Sequence, residues 1–202
     1  MTVLSRKERD RQLRRSDIFK AAEHIFALKG YHKATIRDIA KEAQYGTGTV
    51  YLHFKDKDAL YFALLEEKIK YLLSIVEEKT EQAKDSRSKL NAYVQESLAF
   101  FEKNQDFFRI FISDENELSA QGRLLRSPAV LQLHEYIADL LGEAQEQGVI
   151  SADLDAIRMA EVFTAITKTI VIRWLQGNDG KGDHLVDLTG LILRLFLNGT
   201  AK

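Results

Sequence analysis

Residues 35–57, TIRDIAKEAQYGTGTVYLHFKDK, decide the fold. Ile36, Ile39, Ala40 and Ala43 recur at i, i+3, i+4 and i+7, giving a short helix one narrow apolar stripe. Thr35 precedes that stripe and Asp38 follows three residues on, the layout of an N-cap with a capping-box partner. Gln44-Tyr45-Gly46-Thr47-Gly48 is too glycine-rich to continue the helix and suits a sharp turn. Thr49 to Phe54 then predicts a second short helix that buries Val50 and Phe54 and offers Thr49, Tyr51 and His53 as donors. Helix, tight turn and polar-tipped helix form the arrangement whose second helix fits the DNA major groove.

Charge agrees with that reading. The net charge of −1 hides a balance of +6 over residues 1–57 and −7 over the remainder, so a polyanion would be drawn to one end of the chain. Residues 1–15 carry Arg6, Lys7, Arg9, Arg11, Arg14 and Arg15 and almost nothing apolar. Three readings stand for this segment: an arm that orders on phosphates or in the minor groove, a frayed extension of the first helix, or a solubilising tail.

ATIRDIAKEA followed by GTGTVYLHFKDKDAL closely resembles the DNA-binding segment of TetR-type transcriptional regulators. The motif covers about the first third of the chain; the rest matches in length and helical character. The resemblance implies phosphate contacts from Thr35, Tyr51, His53 and Lys57, and base or groove contacts from Tyr45, Thr47, Gly48 and Thr49. The sequence departs from the family where Gln44, Tyr45 and Gly46 replace the usual Gly, small aliphatic residue and Ser. The lost serine removes the expected cap, which Thr47 could supply, and Tyr45 either touches DNA or packs over the first helix.

Beyond the motif the chain predicts an all-α architecture of about nine helices, in a DNA-binding domain (1–57) and a ligand-binding and dimerisation domain (58–202). A single proline and many Ala, Leu, Glu and Lys favour helices throughout. A first helix is expected over about 16–28, with Gly30 as its C-cap glycine, and a long fourth helix over about 56–84. Lys57 lies at the N-terminus of the latter, where backbone N–H groups also attract phosphate. Leu90, Tyr93, Val94, Ser97, Leu98 and Phe101 trace a fifth; Asp106 to Phe111 opens a short aromatic sixth. Pro128 opens a seventh, and two last helices span about 155–176 and 183–198. Those two are apolar on more than one face and so need a second surface besides their own core, which predicts a homodimer through Ile170, Leu188, Ile192, Leu195 and Phe196.

The family resemblance adds a small-molecule pocket in the body whose occupation weakens DNA binding. Its candidate walls are Phe101, Phe107, Phe108, Phe111, Phe163, Thr167 and Trp174, fitting an unidentified apolar or aromatic effector, although aromatic residues at this spacing more often serve as plain core. An enzyme is the main rival class. The five histidines are scattered, with no metal-ligand pair and no glycine-rich phosphate loop, so neither catalysis, cofactor nor metal is expected. No cysteine and no bilayer-length apolar run predict a cytoplasmic protein without a membrane partner. The leading expectation is a repressor bound to double-stranded operator DNA and released by its effector. The alternatives are an activating or ligand-independent regulator, and a helical carrier without specific DNA binding.

Overall fold

The computed structural model describes residues 5–105, Phe108, 127–177 and 184–200. Among them it has eight α-helices, one short 3-10 helix and no strand, in agreement with the all-α expectation. They are α1 (Arg6–Lys33), α2 (Ile36–Glu42), α3 (Thr47–His53), α4 (Lys57–Glu81), α5 (Ser86–Lys103), α6 (Pro128–Glu146), α7 (Ala156–Gly177) and α8 (Thr189–Thr200), with the 3-10 turn Leu185–Leu188 before α8. The expected helix over 106–111, with Phe107 and Phe111, lies outside the described residues. The chain divides into two compact units, with the boundary between Glu67 and Lys68 inside α4.

α1 begins ten residues earlier than the periodicity predicts. Its N-cap is Ser5, whose hydroxyl accepts from the Glu8 N–H at 3.2 Å, and the basic segment is helical from Arg6 onward. Apolar spacing could not reveal this, because the extension is anchored by a cap and by continuity with the packed turns behind it. Gly30 takes φ 72°, ψ 162°, breaking the helical geometry where a C-cap glycine was expected.

The first unit is built on Ile18, Ala22, Phe26, Ile39, Ala40, Val50 and Leu60, each at most 1% exposed. Large apolar side chains at such depth each contribute about 1.5–3 kcal/mol. Phe26 meets Tyr61 edge-on at 5.6 Å and Phe19 lies 5.3 Å from Phe54, so α1 lines the backs of the helices that follow it.

In the second unit α6 packs along α7, while α5 packs against α6, the 3-10 turn and α8. Leu72, Val76, Leu90, Val94, Leu98, Ile137, Leu141, Phe163 and Ile192 form its core. Glu102 of α5 accepts from the Leu185 N–H at 2.8 Å and pairs with His184 Nδ1 at 2.8 Å. These bonds outweigh the cost of burial and hold the Glu102 pKa below its ordinary value, while Glu102 raises that of His184. The last helix therefore starts at Thr189 instead of about 183: Glu102 supplies a cap that fixes the preceding residues as a 3-10 turn.

Candidate nucleic-acid interface

Thr35 caps α2 as its sequence predicts. Its hydroxyl accepts from the Asp38 N–H at 3.1 Å and the Asp38 carboxylate accepts from the Thr35 N–H at 3.1 Å, a complete capping box. Lys29 sits 2.7 Å from the same carboxylate. The Lys29 ammonium first, and the Thr35 donors next, lower the Asp38 pKa to about 2. Two further ties join α1 to α2 and the turn: His24 to Glu42 at 2.8 Å, and the Tyr45 hydroxyl donating to Asp17 at 2.8 Å.

The turn closes without a glycine at its critical point. Tyr45 N–H donates to the Ala40 carbonyl at 2.9 Å and Gln44 N–H to the Lys41 carbonyl at 3.2 Å, a Schellman closure of α2. Its left-handed residue is Gln44, at φ 58°. The same closure ends α6, where Gly148 holds that position at φ 69°. Gly46 is the N-cap of α3 and makes no side-chain cap bond, so Thr47 is the first helical residue instead of the replacement cap. α3 therefore begins two residues before the expected Thr49.

α3 buries Val50 completely and half-buries Thr49 and His53. Thr47, Gly48, Tyr51 and Leu52 are exposed, Tyr51 at 55% and Leu52 at 82%. Thr35 is exposed too, its hydroxyl engaged in the capping box. Arg15 lies over the Phe19 and Phe54 rings, 4.9 and 5.1 Å from their centroids, which seats its guanidinium beside the end of α3. Burial, and then the positive charges of Arg11, Arg15 and Arg14, lower the His53 pKa, favouring the neutral imidazole. The extended α1 thus adds a cationic flank to α3.

Two residues assigned to DNA contact have other partners. Lys57 points its ammonium at the end of α1, donating to the carbonyls of Tyr31 at 2.7 Å and Ala34 at 3.1 Å, and it stacks on the Tyr31 ring 4.3 Å from the centroid. The neighbouring Asp58 accepts from the Tyr31 hydroxyl. Tyr45, tied to Asp17, adopts the packed position over α1, one of the two readings open for it. Both roles were hidden because the partners lie 26 and 28 residues away in sequence.

The second unit holds the remaining candidates other than Phe108, which falls with the first. Phe163 is 1% exposed and packs between Tyr93 and Phe196, at 6.0 and 4.8 Å between centroids. Thr167 is buried and donates back to the Phe163 carbonyl at 2.9 Å; Phe108 is buried, and Phe101 and Trp174 are half-buried. A groove of about 490 Å³ between α5 and α8 is lined by Arg87, Ser88, Asn91, Gly190, Leu193, Arg194 and Leu197, none of them a predicted ligand residue. Of the dimer candidates, Ile192 and Phe196 face their own core at 0% and 3% exposure. Ile170 and Leu188 are half-buried, and Leu195 is 57% exposed.

Comparison with known proteins places this geometry. Residues 18–64 match the family model described as bacterial regulatory proteins, tetR family. The chain is 30% identical over 198 residues to the HTH-type transcriptional regulator TtgR of Pseudomonas putida, covering 93% of this chain and 90% of that one. It is 29% identical over 187 residues to the fatty acid metabolism regulator protein of Bacillus subtilis, covering 90% and 93% respectively. Its fold matches the crystal structure of the Bacillus subtilis transcriptional regulator FadR in complex with stearoyl-CoA, with a TM-score of 0.83, 22% identity and coverage of 91% and 98%.

Proposed function

The chain belongs to the TetR family of bacterial transcriptional regulators, and on that premise we propose a cytoplasmic homodimeric repressor, not an enzyme, that leaves its operator when the second unit takes up a long-chain acyl thioester. The observation that carries the ligand class is the near full-length similarity to a fatty acid metabolism regulator. A body whose core is lined with Phe163, Tyr93 and Phe196 suits the apolar part of such a ligand. In this reading α3 enters the major groove with Thr47, Gly48 and Thr49 toward the bases, while Tyr51, His53, Thr35 and the α1 arginines hold phosphates. Leu195 lies in the dimer interface, and the twofold symmetry matches two half-sites. The effector acts only if it binds the DNA-free conformer more tightly than the bound one.

The test is a gel-shift titration against the DNA upstream of the protein's own gene, with stearoyl-CoA, free stearate and coenzyme A as separate additions. Specific retention that falls steeply with salt, and is abolished by stearoyl-CoA alone, supports the proposal. Release by none of the three removes the acyl thioester while leaving the regulator. Retention strengthened by stearoyl-CoA would replace repressor release with ligand-dependent DNA binding.

A further inference from the structure

We propose that Leu52 determines part of the operator sequence by packing on a thymine C5-methyl group. This rests on the reading of α3 as the helix that enters the major groove. Val50 is fully buried and fixes the inward direction of α3. Successive residues of an α-helix turn by about 100°, so Leu52 stands about 200° from Val50, and Gly48, on the other side, about 160°. These two residues therefore form the outermost ridge of α3, four residues apart and adjacent on its surface. Leu52 is 82% exposed, the most exposed large apolar side chain among the described residues. A Cβ added to Gly48 would meet nothing within 4 Å, so the surface beside Leu52 is open. Backbone there can come close to a ligand, and Leu52 is the side chain that leads.

Leucine has neither donor nor acceptor, so it cannot read the hydrogen-bonding edges of bases or hold a phosphate. The apolar group that major-groove edges offer is the C5-methyl of thymine. Tyr51, on a phosphate, would position the helix, and Leu52 would favour thymine over cytosine at the base pair beneath it.

The experiment begins with selection from an unmethylated random duplex library by the wild-type protein. Each thymine of the enriched duplex is then replaced by deoxyuridine, which removes the methyl alone, in symmetric pairs if the site is palindromic. Affinities are measured for wild type and Leu52→Ala, with a thermal melt to confirm that the exposed substitution leaves the fold intact. The expected result is one position per half-site where deoxyuridine weakens wild-type binding about three- to fivefold for each methyl removed, and so about nine- to twenty-five-fold for a symmetric pair. In Leu52→Ala that difference disappears. Neutral replacements throughout, or a penalty equal in both proteins, overturn the role of Leu52 and leave the DNA-binding reading intact. Enrichment of no sequence at all overturns both.

Discussion

The Lys57 ammonium lies 2.7 Å from the carbonyl oxygen of Tyr31 and 4.3 Å from the centroid of its ring. Lys57 thus bridges the first turn of α4 and the last turn of α1. Hydrogen bonds from a charged donor are worth about 1.5–3 kcal/mol. Replacing Lys57 by Met should therefore destabilise the DNA-free protein by about 1–2 kcal/mol, read by urea unfolding. A residue used only for phosphate would leave that curve unchanged.

Asp38 predicts an acid limb of stability. Its folded pKa, about 2, lies below the ordinary 3.8, so its contribution is complete above the ordinary value and is lost as pH falls from about 4 to about 2. Asp38→Asn should flatten the dependence of the urea midpoint on pH across that interval. An unchanged slope would place the acid sensitivity elsewhere.

Gln44 occupies the left-handed region at φ 58°, where a side chain is strained and glycine is not. Gln44→Gly should raise stability by about 0.5–1 kcal/mol, the strain relieved exceeding the extra freedom of the unfolded chain. A lower melting temperature in the variant would mean that the Gln44 side chain contributes more than its backbone loses.

His53 titrates below 6.5, with burial as the larger cause and Arg11 the next. Removing one positive charge by Arg11→Gln should raise its pKa without restoring the ordinary value. The imidazole resonances followed by NMR against pH report this directly. A pKa that stays fixed would separate α1 from the end of α3.

Leu195 tests the dimer. Because it is 57% exposed, Leu195→Glu should leave the protomer folded and shift the sedimenting species from dimer to monomer. A dimer that persists would move the interface off the outward face of α8.

What the sequence made legible was local. The capping box joining Thr35 and Asp38 spans three residues, and the apolar periodicity of α2, α5 and α6 states which faces are buried, except that α5 ends its buried face on Phe100 and leaves the expected Phe101 half-buried. Contacts between distant segments were not legible. Nothing near Lys57 announces that its ammonium is taken by carbonyls on α1, and nothing near Tyr45 announces Asp17. The 3-10 turn before α8 depends on Glu102, more than 80 residues earlier, which no pattern within 183–198 encodes. The apolar character of α8 was readable, but not its division between the buried Ile192 and Phe196 and the outward Leu195, because Phe163 claims one face.

The helical start of α1 has a thermodynamic consequence. A disordered basic tail surrenders about 1–2 kcal/mol of backbone freedom for every residue it immobilises on contact with a ligand. Ser5 and the turns behind it fix Arg6 to Arg15 before any ligand arrives, so that entropy is lost during folding. Association would then show little of the heat-capacity and entropy signature of coupled folding. Calorimetry of DNA binding at several temperatures would register a preformed rod of charge.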